Sequence, residues 1–390
     1  MAVLGSLIEQ VRGVSYKTED LHTTLNENSI TLLRANNIKD GQLNFDDVVY
    51  VDKKKVSDKQ LLKAGDILIC ASSGSKELVG KAAYVECNLP MTFGAFCKVV
   101  RPKTDCPQYI GHFFNSPYYR DRIANSAAGA NINNIRNEHI DVLEIAWLSV
   151  EGQRSAVAVL DKVSELIALR KEQLAKLEQL VKSRFIELFG IPGTDTNGWG
   201  LIPLGEACQV NPKKGQDKRL VSGLTVSFVP MPAVSEKGEI DPSETREYDT
   251  VRTGFTYFAE NDVLFAKITP CMENGKGAVA RGLYNGIGFG STEFHVLRPI
   301  SGKTNPYWLY MLTAFSQFRE DAASNMTGSA GQRRVPASFL ENYQVSVPPM
   351  GLQEQFAAFV EQTDKSKLAI QQSLDKLEML KKSLMQEYFG

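Results

Sequence analysis

Arginine, lysine and side-chain amides recur at turn positions along this chain, where they could meet a ligand of phosphates and heterocycles. Arg34, Asn36 and Asn37 end an apolar run just ahead of the turn Lys39-Asp40-Gly41. An arginine fork matches the two major-groove acceptors of guanine, and an asparagine amide matches the donor and acceptor of adenine. The alternative for Asn36 and Asn37 is that they only satisfy the turn backbone. After Asp66 to Cys70 come Ser72-Ser73-Gly74-Ser75-Lys76 and then Gly80-Lys81, while Lys267 to Lys276 follows a similar apolar run further on. Small residues, glycine and lysine let backbone amides and ammonium groups approach phosphates. The candidates there are Ser73, Lys76, Lys81, Lys267, Thr269, Asn274 and Lys276. A third loop, Gly129 to Arg136, offers Asn131, Asn133 and Arg136, and is answered by Gly328 to Arg334 with Ser329, Gln332, Arg333 and Arg334. Aligned on the glycines, Asn133 faces Gln332, so both loops present an amide.

Other chemistries find little support. The four histidines are scattered without ligand spacing, so no metal is expected. The six cysteines include no C-x-x-C pair and read as reduced, buried thiols. Asn305-Pro306-Tyr307-Trp308 is similar to an adenine-methylating tetrapeptide but lacks its second proline and opens a helix. Gly286 to Gly290 alternates glycines without the strand-to-helix context of a nucleotide loop. A net charge of -1 counts against a protein that coats nucleic acid indiscriminately, leaving room for local basic faces. No apolar stretch is long enough for a membrane span, and the first residues lack a signal-peptide layout, so a cytoplasmic location and no membrane contact are expected.

The loops sit in a chain that repeats itself. Leu174, Lys176, Leu177, Glu178, Leu180, Lys182, Ser183, Glu187, Phe189 and Gly190 recur 200 positions later as Leu374, Lys376, Leu377, Glu378, Leu380, Lys382, Ser383, Glu387, Phe389 and Gly390. Between these windows the order is kept more loosely. Gly65-Asp66-Ile67-Leu68 answers Asn261-Asp262-Val263-Leu264, and Phe96 to Arg101-Pro102 answers Phe294 to Arg298-Pro299. Each copy reads as a β-rich first part, a helical stretch, a glycine loop and a last strand. Punctuation gives a first domain over 1–150, a helix over 151–190, an exposed linker over 191–200, a second domain over 201–348 and a second helix over 349–390.

Leu160, Val163, Ile167, Arg170, Leu174, Leu177, Val181, Arg184 and Leu188 alternate steps of three and four, the seam of a coiled coil. Ile370, Leu374, Leu377, Leu384 and Tyr388 keep the same spacing, interrupted by Lys381. At ~1.5 Å per residue the first seam covers roughly 40 Å, more than a small domain needs for its own core. An antiparallel return of the second helix would bury both stripes. About 40 Å is a little more than one turn of B-DNA, so two readers so spaced could face one side of a duplex. The fold class expected is α+β: two repeated β-rich recognition domains joined by two long helices in an antiparallel coiled coil, with pseudo-twofold symmetry.

With the repeat, the helices and the loops assembled, the whole chain resembles the specificity subunit of type I restriction-modification systems. The matching features are Gly65-Asp66-Ile67-Leu68, Lys267 to Lys276, Gly328 to Arg334, and Pro348-Pro349 leading to Gln353-Glu354-Gln355. The resemblance implies a non-catalytic subunit whose two target-recognition domains each read half of a split, asymmetric site on double-stranded DNA. It implies as partners two modification subunits, which bind S-adenosylmethionine and methylate adenine, and restriction subunits, which use ATP and Mg; no cofactor is expected on this chain itself. Lys176, Glu178, Lys182, Ser183 and Glu187, with Lys376, Glu378, Lys382, Ser383 and Glu387, are read as two equivalent docking sites for the modification subunits. Where the family has a proline pair the first copy has Ser149-Val150, which blurs the start of its helix. The competing reading, from another class, is a coiled-coil scaffold or adaptor without sequence-specific DNA binding.

Overall fold

The computed structural model describes residues 1–75, 77–126, 133–329 and 331–390. Contacts divide the chain into two compact units, one of residues 1–172 with 371–390 and the other of residues 173–370. Among the described residues, no helix is long and apolar enough to cross a membrane.

In the first unit β1 (Ile8–Arg12), β2 (Leu21–His22), β3 (Ser29–Leu33), β4 (Val49–Asp52), β5 (Ile67–Cys70), β6 (Ala82–Tyr84), β7 (Met91–Phe93) and β8 (Cys97–Pro102) make two four-stranded sheets. Their orders are β6-β5-β8-β1 and β7-β3-β4-β2. Strand β5 is buried along its whole length, so its residues show no polar alternation. Helices α1 (Pro107–Phe113) and α2 (Pro117–Ser126) each start on proline, which suits the first helical position because no amide hydrogen is needed there. The chain then enters α3 (Val150–Phe189), whose later part belongs to the second unit.

The second unit repeats the plan with β9 (Cys208–Val210), β10 (Thr225–Val229), β11 (Thr245–Glu247), β12 (Thr256–Ala259), β13 (Val263–Ala266), β14 (Gly277–Val279), β15 (Ile287–Gly290) and β16 (Phe294–Pro299). The sheet β14-β13-β16-β9 matches β6-β5-β8-β1 strand for strand. In the other sheet, β15-β10-β11 matches β7-β3-β4, including the parallel pairing of β7 with β3 and of β15 with β10, but the fourth strand is added at opposite edges. Gly288 and Gly290 lie where a side chain would collide with the Phe258 ring and the Val229 carbonyl, so the alternating glycines are a packing device. Helices α4 (Pro306–Ala314) and α5 (Ser316–Ser324) follow; Asn305 caps α4 by accepting from the Tyr307 amide at 2.9 Å.

Buried polar pairs repeat with the strands. Asp66 receives Arg101 at 2.7 and 2.8 Å, and Asp262 receives Arg298 at 2.8 and 2.6 Å, one pair per unit at the same place in the sheet. Arg120 donates to the Val79 and Glu77 carbonyls, and Arg319 to those of Met272 and Gly275, so each unit ties its post-strand loop to a helix in the same way. A carbonyl bound by guanidinium is held by a charge-assisted bond, stronger than a neutral one.

Helix α6 (Met350–Phe389) completes the chain. Within the first unit Ala156 and Leu160 share a core with Met385 and Phe389, while Arg170 donates to the Ser373 hydroxyl and Lys171 pairs with Glu378 at 3.2 Å. The partners thus run in opposite senses. Within the second unit Phe185 and Phe189 stack edge-on against Phe356. All nine residues of the expected first seam are buried or half-buried. The boundary between units falls inside both helices, not at their ends, because each half of a helix buries its apolar side in a different core. Segment 191–200 is more organised than a loose linker: the Asp195 carboxylate accepts from the Trp199 and Gly200 amides and the Ser346 hydroxyl. The expectation of buried thiols holds for four cysteines and fails for Cys87, exposed in the β6–β7 connection, and for half-buried Cys271.

Gln153 and Gln353 are equivalent and buried, each donating to the carbonyl five residues before it, Leu148 at 2.9 Å and Pro348 at 2.7 Å. Gln353 also donates to the Lys303 carbonyl and accepts from the Asn305 amide. Gln353→Leu strands three backbone groups in the interior. Denaturant unfolding should register a loss of about 3 kcal/mol, against under ~0.5 kcal/mol for the exposed control Glu354→Gln; equal stabilities would show that these bonds do not hold the helix start.

Candidate nucleic-acid interface

In both units the loop after the central strand of the first sheet, β5 or β13, meets the third loop at one end of that sheet, while Arg34, Asn36 and Asn37 follow β3 of the other sheet. In the second unit the segment after β13 and the glycine-containing segment before Val335 are zipped together by backbone bonds. The Thr269 amide donates to the Arg333 carbonyl at 3.1 Å and the Val335 amide to the Lys267 carbonyl at 2.9 Å, with Arg334 bridged to both Ile268 and Thr327. The Thr269 hydroxyl accepts the Arg333 amide at 3.2 Å, so Thr269 is a backbone anchor. Arg334 is clamped by both carboxylate oxygens of Glu293 at 2.9 and 2.8 Å, which holds that carboxyl below its usual range, and Arg333 reaches Glu273 at 3.2 Å. Lys276 donates to the Met231 carbonyl, and Lys267 is half-buried. Asn274, Ser329 and Gln332 are exposed on the resulting surface.

The first unit builds the same junction. The Ile135 amide donates to the Ala71 carbonyl at 2.8 Å, and Asn133-Asn134 pairs with Ser73-Ser72 as a short antiparallel ladder. Ser73 accepts the Ser75 amide at 3.1 Å, and Lys81 and Arg136 are exposed. Lys76 and Asn131 lie outside the described residues. Sharing this end of the sheet is the turn before β8, whose Phe96 carbonyl accepts both the Ala71 and Ser72 amides.

Two junctions of equal construction and unlike side chains frame the comparison with known proteins. Residues 197–379 match the family model described as Type I restriction modification DNA specificity domain. Over 412 aligned residues the chain is 28% identical to the type I restriction enzyme StySPI specificity subunit of Salmonella potsdam, covering 100% of this chain and 88% of that one. Residues 197–379 thus belong to the type I restriction-modification DNA specificity domain family. The EcoEI specificity subunit of Escherichia coli is 37% identical over 193 residues, which are 47% of this chain and 31% of the relative. In fold, the chain is similar to the S subunit of a type I system from M. genitalium, with a TM-score of 0.55 at 13% identity and coverage of 100% and 95%.

Placing the family's loops on the structure corrects three sequence expectations. Backbone pairing, not the glycines, sets the register of the third loop: Ser72 pairs with Asn134 as Ile268 does with Arg334, so Asn133 is equivalent to Arg333, not to Gln332. The shared amide therefore disappears. Asn37 is fully buried, its amide donating to the Asn44 and Asp46 carbonyls at 3.0 and 2.9 Å and accepting from the Arg34 amide at 2.8 Å. It staples its own turn and is withdrawn as a base reader. Arg34 and Asn36 both donate to the Asp47 carboxylate at 3.0 Å, so a ligand would have to displace that acid. Thirdly, β8 and β16 align by their Arg–Asp pairs, which makes Phe96 the counterpart of Glu293, not of Phe294. Phe294 is 2% exposed, whereas Phe96 is 68% exposed, an apolar ring on the junction.

His295 holds the second junction to the sheet. Its Nε2 donates to the Val335 carbonyl at 2.8 Å, and its Nδ1 accepts from the Asn211 amide at 3.0 Å, so the ring is neutral in the fold. Burial depresses its pKa below the ordinary 6.5, with Lys267 adding to the effect. A depressed native pKa means that the unfolded chain takes up the proton first, so stability falls as pH drops below about 6.5. Unfolding followed from pH 7.5 to 5 should show this decline in the parent and a flatter profile in His295→Gln; identical profiles would remove His295 from the account.

Proposed function

We propose that the chain is the DNA sequence-recognition subunit of a type I restriction-modification complex, each unit reading one half of a split, asymmetric site. The observation that carries this reading is the duplicated junction. Strand order, buried Asp–Arg pair and loop zipper repeat, while the exposed side chains on the junction do not. A rigid scaffold with variable tips is what reading two unlike half-sites demands, because phosphates position a protein and base edges specify it. Ser73, Lys81 and Arg136 face one half-site; Asn274, Ser329, Gln332, Arg333 and Arg334 face the other.

Catalysis belongs to partners in this reading. S-adenosylmethionine chemistry falls to two modification subunits, and ATP- and Mg-dependent cleavage to restriction subunits. The helices offer each modification subunit one stripe: Lys176, Leu180, Ser183 and Glu187 on α3, and Lys376, Leu380, Ser383 and Glu387 on α6, spaced to share a face. Leu180 and Leu380 are 49% and 47% exposed, apolar positions that repeat although solvent gives no reason to keep them. Glu178 and Glu378 are engaged with Lys237 and Lys171, so they act as much within the fold as at a partner surface.

The test is Gln332→Ala in the chain assembled with its modification subunits, with methylated sites mapped across random DNA. Discrimination should relax at one half-site by ~1–3 kcal/mol and persist at the other. An equal loss on all duplexes would make Gln332 a backbone or fold residue, and a parent without sequence preference would favour a scaffold.

A further inference from the structure

Cations gather at one further place in each unit. In the second, the segment after β9 carries Lys213, Lys214, Lys218 and Arg219, all exposed. Its single acid, Asp217, is taken by Arg219 at 2.7 Å and by the Tyr257 hydroxyl at 2.7 Å. Lys214 donates to the Arg252 carbonyl, which ties this segment to the turn that follows β11. Lys213 and Lys218 have no carboxylate within ion-pairing distance among the described residues.

The first unit makes an equivalent patch from different residues. The turn that follows β4 is Lys53-Lys54-Lys55, with Lys59 behind it. Lys55 pairs with Asp20 at 3.1 Å, joining this turn to the segment between β1 and β3, the counterpart of the one that carries Lys213. Lys53 donates to the Glu27 carbonyl at 2.8 Å. Exposed Lys54 and Lys59 have no acidic partner among the described residues.

The segments after β1 and β9 leave the sheet end that carries the junctions, and the lysine turn after β4 meets the first of them through Lys55 and Asp20. The Asn211 amide donates to the Val296 carbonyl at 2.7 Å beside His295. Gly13 lies so close to Gly94, next to Phe96, that no side chain fits between them. What persists between the patches is position and sign, in a chain whose net charge is -1; the residues themselves do not repeat. Two readers of different bases have one thing in common on the duplex, its phosphate backbone, and a phosphate asks for a cation without asking which one.

Building on the DNA-reading function above, we propose that Lys213 and Lys218 in one unit and Lys54 and Lys59 in the other are phosphate contacts, which set sequence-independent affinity for duplex DNA. The experiment compares the parent, Lys213→Gln/Lys218→Gln and Lys54→Gln/Lys59→Gln, each as the full chain assembled with modification subunits. Binding to a target duplex and to a random duplex is titrated across salt concentrations, with thermal melting to confirm equal folding. Each phosphate contact contributes ~0.9 to the slope of log affinity against log salt. Each double variant should therefore lose up to about 1.8 of that slope, weaken by the same factor on both duplexes, and keep the parent's half-site preference. Unchanged slopes would overturn the proposal, as would an altered preference at one half-site, which would make these lysines base readers. A variant that loses slope beside a parent with no preference for any sequence would support the phosphate contacts and overturn the reading of bases.

Discussion

Each unit closes its core with turns of a long helix that lie outside its own β-rich domain, and the rest of the structure depends on that. The first unit needs Met385 and Phe389 from α6, with Phe389 against Tyr109 and Phe113. The second needs Val181, Phe185 and Phe189 from α3. A buried phenylalanine is worth roughly 3–5 kcal/mol against its alanine variant, so the last turns of each helix are core elements as well as connectors. A helix with both ends so committed cannot shift register freely. Both α3 and α6 are 40 residues long.

On that frame the molecule separates what must stay from what must vary. The Asp66–Arg101 and Asp262–Arg298 pairs sit on central strands and are half or wholly withdrawn from solvent, where losing one partner would leave a buried charge. Gln153 and Gln353 hold the two helix starts in the same manner. The junction loops hang from these points through backbone bonds that make few demands on side chains, so their exposed residues are free to differ. Arg333 and Arg334 show a further economy: acids within the same unit pre-orient their guanidinium groups, and partners of that kind reduce the side-chain entropy lost on binding.

Much of this was legible in the sequence, for reasons that also mark where legibility ended. The seam from Leu160 to Leu188 could be read because a two-helix interface imposes a period, and the identities at 200 positions showed that the interface occurs twice. The first sheet was legible where strands are fully buried and therefore uniformly apolar, as in β5. Register across the third loop was not, since Asn133 and Arg333 are matched by backbone pairing to residues some 60 positions away and no side chain records it. Asn37 looked like an exposed amide because a turn asparagine has the same neighbours in sequence whether it faces solvent or its own backbone. Phe96 was lost to a one-residue shift between two similar strands. The acids Asp47, Glu273 and Glu293 left no sequence signal either, because each meets its arginine only in the fold.

In the proposed reading the two helices also set the spacing between the half-sites, and lengthening them tests that. One heptad is inserted into each, between Ile167 and Leu174 and between Lys367 and Leu374, which adds ~10 Å of helix while keeping the apolar stripe in phase. Methylated sites are then mapped for the lengthened chain assembled with its modification subunits. Both half-sites should be unchanged and the unread spacer longer by about three base pairs, at ~3.4 Å each, with some twist absorbed by the duplex. An unchanged spacer in a folded, active assembly would contradict the account.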